Sequence, residues 1–311
     1  MMWPPGGVRA SERLSNHTSF RIGGPAEWFA EPSSLDELVQ VLQAAWRAGL
    51  AVSVVGGGTN LLVPDQGVRG VVVHLGRAFR TVEELAPSSD GKTRVRCGAS
   101  VLTQRLVSMA AQRGWGDLER LAGLPGQLGG AVVMNAQSIG RFVERITHVS
   151  FTGALQQVTH EQLRFAYRYA VIEPGVIVDV TLRFAQINPA VAAEQIHGAL
   201  DARNSSQEVG APSAGCAFKN PAGESAGRLI DQAGLKGSRI GDAQVSRRHA
   251  NFILNVGQAT CDDVLSLMEH LQRAVARRMG VWLEPEIRLF GERWAIEQSS
   301  YQANSNGSIA R

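Results

Sequence analysis

The sequence has few cysteines, few aromatic residues and no strong excess of either charge. Its three cysteines, Cys97, Cys216 and Cys261, lie far apart in 311 residues and show neither a disulfide framework nor the spacing of a metal site. The net charge is only +3, and the basic residues are spread along the chain rather than gathered in blocks. We therefore expect a protein of a reducing compartment that holds no metal and binds no nucleic acid.

Long apolar runs are also missing. No stretch approaches the ~20 apolar residues that a membrane-spanning helix requires, and residues 1–10 lack the charged and apolar regions of a secretory signal. We therefore expect a water-soluble, cytoplasmic protein with no membrane partner. The P-loop pattern of lysine and serine or threonine after a glycine loop is missing, and the first glycine cluster does not have the G-x-G-x-x-G spacing of a dinucleotide fingerprint.

Glycine, with 34 residues, is plentiful, and it forms two notable clusters. Gly56-Gly57-Gly58 directly follows the apolar run Val52–Val55, and Thr59, Asn60 and Leu61 come next. Glycines after a strand leave bare N–H groups that can cradle a phosphate, although a tight turn between two strands would also explain the triplet. The second cluster, Gly123 to Gly130, favours the phosphate interpretation, because it could lead into a short helix whose N–H groups face an anion. A glycine-rich helix packed against a sheet is the alternative.

A predicted helix between predicted strands, with short links, suggests a small α/β unit near the first glycine cluster. Ser34 with Glu37 has capping-box spacing and opens a predicted helix, and Thr260 with Asp263 opens another. Alternating apolar residues predict strands over Val176–Phe184 and Trp282–Phe290. The composition becomes small and polar near residue 204, which predicts a domain border. Residues 1–15 and 292–311 are predicted to be flexible tails.

The predicted strand at 282–290 is the first candidate for chemistry. One of its faces carries Glu284, Glu286 and Arg288 in a row, whereas the other face is apolar. Such a row suits a polar site, but a solvated edge-strand face is its more common origin.

Arg168 and Cys216 are two further candidates. Arg168 lies between Tyr167 and Tyr169, which could hold its guanidinium rigidly, although an arginine stacked on a surface is more common. Cys216 lies close to Lys219, which could lower the pKa of the thiol and suit it for proton transfer. A small buried thiol is the alternative.

Taken together, the motifs resemble those of the UDP-N-acetylenolpyruvoylglucosamine reductases, which make UDP-N-acetylmuramate for the bacterial cell wall. The resemblance covers roughly Asn16 to Gly291, and its length and lack of an insertion before the last domain match the shorter, type II branch. The motifs that carry it are Thr18-Ser19-Phe20-Arg21-Ile22-Gly23-Gly24, Gly56 to Leu62, Gly123-Leu124-Pro125-Gly126 with Gly129-Gly130-Ala131 and Met134-Asn135-Ala136, Tyr167-Arg168, Gly215 to Pro221, Ala226-Gly227-Arg228-Leu229-Ile230, and Leu283-Glu284-Pro285-Glu286 with Arg288.

The resemblance implies an FAD-binding fold of the vanillyl-alcohol-oxidase/PCMH type with two subdomains, plus a C-terminal α+β substrate domain. The implied boundaries are 16–86 and 87–203 for the two FAD-binding subdomains and 204–291 for the substrate-binding domain. Non-covalent FAD is the implied cofactor, and its pyrophosphate would be held by backbone N–H groups of the two glycine loops. The implied cofactor-binding residues are Gly56, Gly57, Gly58, Thr59, Asn60, Leu61, Gly123, Pro125, Gly126, Gly129, Gly130, Ala131 and Asn135.

The resemblance also implies a reaction: NADPH reduces the flavin, and UDP-N-acetylglucosamine enolpyruvate is then reduced in a step of peptidoglycan synthesis, on which cell shape and division depend. Arg168, Cys216 and Glu286 would be catalytic. Arg168 would stabilise the negative charge that develops beside the substrate carboxylate, and Glu286 would have to be protonated or share a proton. Lys219, Asn220 and Arg288 would bind the substrate, and we expect a monomer.

Two departures from the family pattern matter. Cys216 stands where the family usually has Ser, and because a thiol is the stronger acid, we expect proton donation and activity to be kept. The stretch 136–140 reads Ala-Gln-Ser-Ile-Gly, where the family commonly has Ala-Gly-Ala-Tyr-Gly.

Two rival functions stay open on the sequence. A different flavoprotein of the same fold often carries a histidine for covalent flavin attachment near the glycine loop, and no histidine lies within that loop here. A non-catalytic sugar-nucleotide-binding protein is the second rival, and the joint presence of Arg168, Cys216 and Glu286 argues against it.

Overall fold

The computed structural model describes residues 3–206, 208 and 210–291, so the predicted tail at 292–311 lies outside the described residues. This part of the chain contains helices α1 Leu35–Arg47, α2 Thr103–Arg113, α3 Leu128–Val133, α4 Pro189–Ser206, α5 Ala226–Gln232 and α6 Cys261–Met279. Its strands are β1 Val8–Arg13, β2 Pro25–Ala30, β3 Val52–Val55, β4 Leu61–Leu62, β5 Val68–His74, β6 Val82–Leu85, β7 Thr93–Gly98, β8 Val143–Ser150, β9 Leu155–Thr159, β10 Arg164–Ala166, β11 Tyr169–Val171, β12 Gly175–Phe184, β13 Arg239–Ile240, β14 Ala243–Val245, β15 Ile253–Asn255 and β16 Arg288–Leu289.

The chain forms two compact units, and each draws on separate stretches of sequence. Unit 1 consists of Met1–Ala10, Trp28–Gly57 and Gly70–Val209. Unit 2 consists of Ser11–Glu27, Gly58–Arg69 and the described residues of Gly210–Arg311. The border between the units falls inside the first glycine cluster, between Gly57 and Gly58. The domain borders expected at 86/87 and 203/204 stay predictions.

Helix ends follow the signals in the sequence. The Ser34 hydroxyl accepts a hydrogen bond from the Glu37 N–H and caps α1, and Thr260 with Asp263 forms a complete capping box on α6. Gly114 and Gly280 adopt left-handed backbone at the C-terminal ends of α2 and α6, which is the position where glycine relieves strain. In the described part of the chain, no helix has the length and apolar character that crossing a membrane requires.

Unit 1 is built around a five-stranded sheet in the order β6-β7-β12-β8-β9. The long strand β12 pairs antiparallel with β7 and β8, and the Val180, Ile146 and Cys97 positions lie side by side across it. All three side chains are buried in the core of the unit. The parallel pair β3 and β5 belongs to a second sheet, in the order β1-β2-β5-β3, so the strand before the first glycine cluster is anchored in a sheet as predicted.

Unit 2 packs α5 and α6 around a small core with the three-stranded sheet β13-β14-β15. Burial of Leu267, Leu271 and Val275 along one face of α6 explains the apolar spacing of that helix. Strand β16 pairs parallel with β4, which joins the C-terminal stretch to the residues that follow the first glycine cluster.

Two expectations about local structure are wrong. A strand at Val8–Arg13 and a 3₁₀ helix at Leu14–His17 occupy most of the stretch expected to be a flexible arm. The predicted strand Trp282–Phe290 contains only the two residues of β16 in regular pairing. Its alternation is nevertheless present, since Leu283 and Ile287 are buried and Trp282 and Glu284 are exposed. The periodicity indicated correctly which side chains are buried. A regular ladder of strand hydrogen bonds also needs continuous partner strands, and the sequence does not reveal those.

The carboxyl group of Asp179, in β12, gives a prediction about pH. Burial raises the pKa of Asp179 above its usual value. The 3.1 Å hydrogen bond that Thr147 donates to the carboxyl group offsets only part of this rise. The folded state therefore holds this proton more tightly than the unfolded chain does, and ionisation of Asp179 destabilises the fold as the pH rises. We expect Asp179→Asn to raise the melting temperature at pH 8 and to have little effect below about pH 3, where the carboxyl group is protonated in both states.

The control for this experiment is Asp90→Asn. Ser88 donates a hydrogen bond that lowers the pKa of the exposed Asp90 carboxyl to about 2. Ionisation of Asp90 therefore stabilises the fold, so Asp90→Asn should lower the melting temperature at pH 8. Thermal denaturation of both variants across pH checks the argument. An Asp179→Asn protein that melts below the wild type at pH 8 would contradict it.

Candidate active site

The two glycine clusters meet in unit 1. A Cβ atom on Gly57 would lie 2.8 Å from the Cα atom of Gly126, a distance that real side chains do not tolerate. In the described part of the chain, the N–H groups of Gly56, Gly57 and Gly126 have no hydrogen-bond acceptor. The backbones therefore come together at a point where bare N–H groups remain available, which is what an anion cradle requires.

The stretch after Gly126 gives partial support to the predicted helix. Helix α3 begins at Leu128, within the glycine cluster, but it is only six residues long. A Cβ atom on Gly129 would lie 3.0 Å from the Ala99 Cβ atom, so this glycine allows close packing, whereas Gly130 is exposed and faces open space. A helix this short has a small dipole, so loop N–H groups rather than the helix end carry the anion argument here.

The last glycine of the triplet, Gly58, and the predicted cofactor residues Thr59, Asn60 and Leu61 belong to unit 2. Gly58 has φ of +61° and packs against the backbone of His17. The Asn60 side-chain amide donates a 3.1 Å hydrogen bond to the carbonyl of Glu286, and the Asn60 carbonyl accepts one of 2.9 Å from the N–H of Arg288. Asn60 therefore lies beside two residues that the sequence places in the site.

Backbone hydrogen bonds join further stretches of unit 2. The N–H of Glu286 donates to the Ala217 carbonyl over 2.8 Å, and the N–H of Lys219 donates to the Glu284 carbonyl over the same distance. On the other side, the N–H of Ala217 donates to the Asn251 carbonyl over 2.7 Å. We call the resulting set, residues 60–62, 216–219, 251–252 and 284–289, the site ribbon. It brings together six predicted site residues: Asn60, Leu61, Cys216, Lys219, Glu286 and Arg288.

Asn251 is a residue of the candidate site that the sequence did not indicate. Its side chain is 2% exposed, accepts a 3.0 Å hydrogen bond from the Phe218 N–H and donates one of 2.8 Å to the Phe218 carbonyl. Together with its own carbonyl, it fixes the backbone on both sides of Ala217 and hence the position of Cys216. No spacing in the sequence relates residue 251 to residue 216, so only the fold could reveal this role.

The two predicted substrate residues beside Cys216 already have partners within unit 2. The Lys219 ammonium forms an ion pair with the Glu284 carboxylate, and the two side chains are 28% and 61% exposed. The Asn220 side chain accepts a 3.1 Å hydrogen bond from the N–H of Ala226 and so braces the start of α5. Lys219 remains open to an anion on its exposed side, whereas the Asn220 side-chain oxygen has a structural use.

Arg168 lies in unit 1, in the two-residue turn between β10 and β11. Its φ of +60° falls at the turn position that usually takes glycine or asparagine. Its guanidinium carbon lies 5.5 Å from the centre of the Tyr167 ring, so one of the two flanking aromatic residues does stack on it. A strained backbone of this kind costs about 1–3 kcal/mol, which marks the turn as a functional candidate.

Asn135 connects the second glycine loop to that turn. Its side-chain amide donates a 2.8 Å hydrogen bond to the carbonyl of Ala166, at the end of β10, and its oxygen accepts one of 3.0 Å from Gly140. The side chain of this predicted cofactor residue is thus used to position the Arg168 turn. Next to it, Gln137 has φ of +50° at the position where the family commonly has glycine, and this backbone angle gives the physical reason for that glycine.

Comparisons with known proteins agree with this arrangement. Residues 26–154 match the FAD binding domain model, and residues 207–290 match the model for the C-terminal domain of UDP-N-acetylenolpyruvoylglucosamine reductase. A UDP-N-acetylenolpyruvoylglucosamine reductase of Symbiobacterium thermophilum is 40% identical to the chain, over 92% of this chain and 93% of its own length. The chain belongs to the UDP-N-acetylenolpyruvoylglucosamine reductase family.

Other members of the reductase family support the same assignment. The enzyme of Bacillus subtilis is 36% identical over 92% of this chain and 95% of its own length. The crystal structure of the reductase from Thermus caldophilus matches with a TM-score of 0.74 at 36% identity, over 91% of this chain and 97% of that chain. The predicted fold class, an FAD-binding domain followed by a reductase C-terminal domain, is confirmed.

The residues of unit 1 fit the FAD that this family uses. We propose that the N–H groups of Gly56, Gly57 and Gly126 hold the pyrophosphate, at the place where Gly57 and Gly126 approach each other without a Cβ atom. No histidine lies in these loops, so non-covalent binding is the mode they support. Among the described residues, no three His, Cys, Asp or Glu side chains lie close enough together to hold a metal ion.

The contact between Gly57 and Gly126 predicts that a single methyl group will damage cofactor binding. Gly57→Ala would push the second loop away, at about 1–3 kcal/mol for overpacking of this kind. We expect the Kd for FAD, measured by fluorescence titration of the stripped protein, to rise about tenfold or more.

Gly198→Ala is the matched control for that variant. It adds the same methyl group in α4, where nothing lies within 4 Å, and should leave the affinity for FAD unchanged. Equal affinity of Gly57→Ala and the wild type for FAD would rule out the cradle at this position.

Proposed function

We propose that this protein reduces UDP-N-acetylglucosamine enolpyruvate to UDP-N-acetylmuramate, with NADPH as the electron source, as a step of peptidoglycan synthesis. When bound, FAD supplies the two-electron chemistry that links NADPH oxidation to substrate reduction. The observation that carries the proposal is the site ribbon, which gathers Cys216, Glu286 and Lys219 from distant parts of the sequence. Family membership at 40% identity over nearly the whole chain supports it.

Charge stabilisation is the first task of the protein. Hydride addition to the vinyl carbon leaves negative charge on the neighbouring carbon and on the carboxylate attached to it. A guanidinium directed at that carboxylate stabilises the charge where it develops. We assign this role to Arg168, because its strained turn, its stacking on Tyr167 and the hydrogen bond from Asn135 to Ala166 define the position of the turn.

Proton delivery is the second task. We assign it to the Cys216 thiol, because the next residue, Ala217, is held on one side by the Asn251 carbonyl and on the other by the N–H of Glu286. The thiol gives its proton to the carbon that carries the negative charge, and solvent then restores the proton. Glu286 acts in a protonated or proton-sharing form, since a second full carboxylate would repel the substrate carboxylate.

Substrate binding is the third task. We assign the substrate diphosphate to Lys219. We assign a further anionic contact of the substrate to Arg288, whose N–H donates a hydrogen bond to the Asn60 carbonyl on the site ribbon. We assign Asn220 a supporting part through its backbone, because its side-chain oxygen caps α5. Glu284 pairs with the Lys219 ammonium, so it competes with the diphosphate for that cation.

We also propose that the protein works in the cytoplasm as a monomer of the type II branch. The three cysteines, all within the described residues, form no disulfide, which suits a reducing compartment. Light scattering should give the mass of one chain, and a dimer mass would contradict this part of the proposal.

The decisive experiment follows the flavin by absorbance. We expect the purified protein to be yellow, NADPH to bleach it without oxygen, and the enolpyruvyl nucleotide to restore the colour with one equivalent of substrate per flavin. UDP-N-acetylglucosamine, which lacks the double bond, is the control and should not restore the colour. A colourless protein that takes up no FAD would favour the binding-protein alternative, and reoxidation by oxygen but not by the nucleotide would favour an oxidase.

The proton donor is tested with two substitutions. Cys216→Ser keeps an O–H donor and should retain activity within about tenfold of the wild type, whereas Cys216→Ala should lower kcat by about 10²–10⁴-fold. Equal activity of the alanine variant and the wild type would remove Cys216 from the mechanism.

Alkylation provides an independent measurement on the same thiol. Cys97 and Cys261 are buried, and burial raises the pKa of Cys97 to about 12. Iodoacetamide should therefore add one label, at Cys216, and abolish turnover unless the substrate nucleotide is present. Full activity after stoichiometric labelling of Cys216 would contradict its role.

A further inference from the structure

Ser19 belongs to the motif at 18–24, to which the proposed function gives no task. In unit 2 its N–H donates a 3.2 Å hydrogen bond to the Gly58 carbonyl, and its hydroxyl donates one of 2.6 Å to the Ser213 carbonyl. The hydroxyl oxygen also lies 3.3 Å from the Gly58 carbonyl oxygen. This half-buried serine therefore contacts both the end of the first glycine cluster and the stretch that leads to Cys216, three residues after Ser213.

The two carbonyls that Ser19 contacts are held by different parts of the residue. A serine hydroxyl has a single hydrogen, so it can donate fully to only one of them. The distance of 2.6 Å to Ser213 is normal for an O–H···O bond, whereas 3.3 Å to Gly58 is long for one. The backbone N–H of Ser19 therefore holds Gly58, and the hydroxyl holds Ser213.

The turn that carries Ser19 is itself fixed in unit 2. The side chain of Phe20 is buried in the core of the unit, and its carbonyl accepts a 3.1 Å hydrogen bond from the Asn255 side-chain amide. The N–H of Asn255 donates a further bond of 2.9 Å to the Pro212 carbonyl. Asn255 thus ties the turn to the residue before Ser213, so the Ser19 hydroxyl acts from a fixed position.

The stretch between Ser213 and Ala217 is held at its two ends. Ala217 forms backbone hydrogen bonds through both its N–H and its carbonyl, and Ser213 is held by the Ser19 hydroxyl. Gly215 lies between these anchors with φ of +75°, and apart from its chain neighbours no atom of the described residues lies within 4 Å of the place of its Cβ atom. The anchors rather than packing therefore limit rotation of the backbone next to Cys216.

We propose that Ser19 is a positioning residue for proton delivery: its hydroxyl holds the Ser213 carbonyl and thereby keeps the Cys216 thiol at the place from which it protonates the substrate. This inference rests on the proposed function, in which Cys216 is the proton donor. A displacement of about 1 Å can lower the rate of a chemical step by about 10²-fold, so a remote anchor can control it. The half-reaction with NADPH needs no proton from Cys216 and should not depend on the Ser19 hydroxyl.

The test measures the two half-reactions of the holoenzyme separately by stopped-flow absorbance. Ser19→Ala removes the hydroxyl and keeps the N–H that bonds to Gly58, so the affinity for FAD and the rate of bleaching by NADPH should stay unchanged. Reoxidation of the bleached protein by the enolpyruvyl nucleotide should slow by about tenfold or more, because the proton donor is no longer held in place. Ser19→Thr keeps a hydroxyl and should restore most of the lost rate.

Ser34→Ala is the matched control, because it removes a serine hydroxyl that has a purely structural bond. That hydroxyl accepts a hydrogen bond from the Glu37 N–H at the start of α1 in unit 1. Its loss should lower the melting temperature and leave both half-reactions unchanged, which shows the effect of reduced stability alone. Thermal denaturation of each variant confirms that the rates are measured on folded protein.

The outcomes separate this inference from the proposed function. If the nucleotide does not reoxidise the bleached wild type, both fail. If Cys216→Ala is reoxidised as fast as the wild type, the proton-donor role fails and this inference fails with it, whereas the reductase activity stands. If the wild type behaves as proposed and Ser19→Ala matches it, or slows both half-reactions equally, only the role of Ser19 fails. A Ser19→Thr protein that is no faster than Ser19→Ala would overturn that role as well.

Discussion

The approach of two backbones at Gly57 and Gly126 is the constraint on which the candidate cofactor site depends. Because neither residue has a Cβ, the loops come close enough to present their N–H groups at one place. The N–H groups of Gly56, Gly57 and Gly126 have no acceptor in the described part of the chain, so they are available to an anionic ligand at this place. Both loops are anchored in unit 1. The first follows β3, which is paired with β5, and the second accepts and donates hydrogen bonds with the Gln104 side chain.

In unit 2 the backbone groups of the candidate site are paired within the protein rather than left without an acceptor. The site ribbon consists of short extended stretches, and the side chains of Asn60 and Asn251 supply hydrogen bonds that a continuous sheet would otherwise provide. A regular ladder would direct side chains strictly to alternate faces. Short stretches joined by asparagine side chains allow Cys216, Lys219 and Glu286 to be placed individually while their backbones stay fixed.

Much of this could be read from the sequence, and the limits have physical causes. Local signals worked: the caps at Ser34 and Thr260, the alternation in β12 and the glycine clusters all depend on near neighbours. The motifs also led to the family and to Cys216, Lys219 and Glu286, which the structure joins. Asn251 could not be found, because its importance comes from hydrogen bonds to residues far along the chain. Asn135 was found through its motif, but its side chain is bonded to the turn of Arg168.

Backbone strain in unit 1 follows the candidate chemistry. Seven residues other than glycine have positive φ in the described part of the chain, and four of them are Asn135, Gln137, Ser138 and Arg168. Asn135 is bonded directly to the end of β10, next to the Arg168 turn, so the strained loop and the strained turn support each other. Each such residue costs about 1–3 kcal/mol, which the packed core of the five-stranded sheet must offset. Relaxing either the loop or the turn would move the arginine, and this dependence explains why the strain is retained.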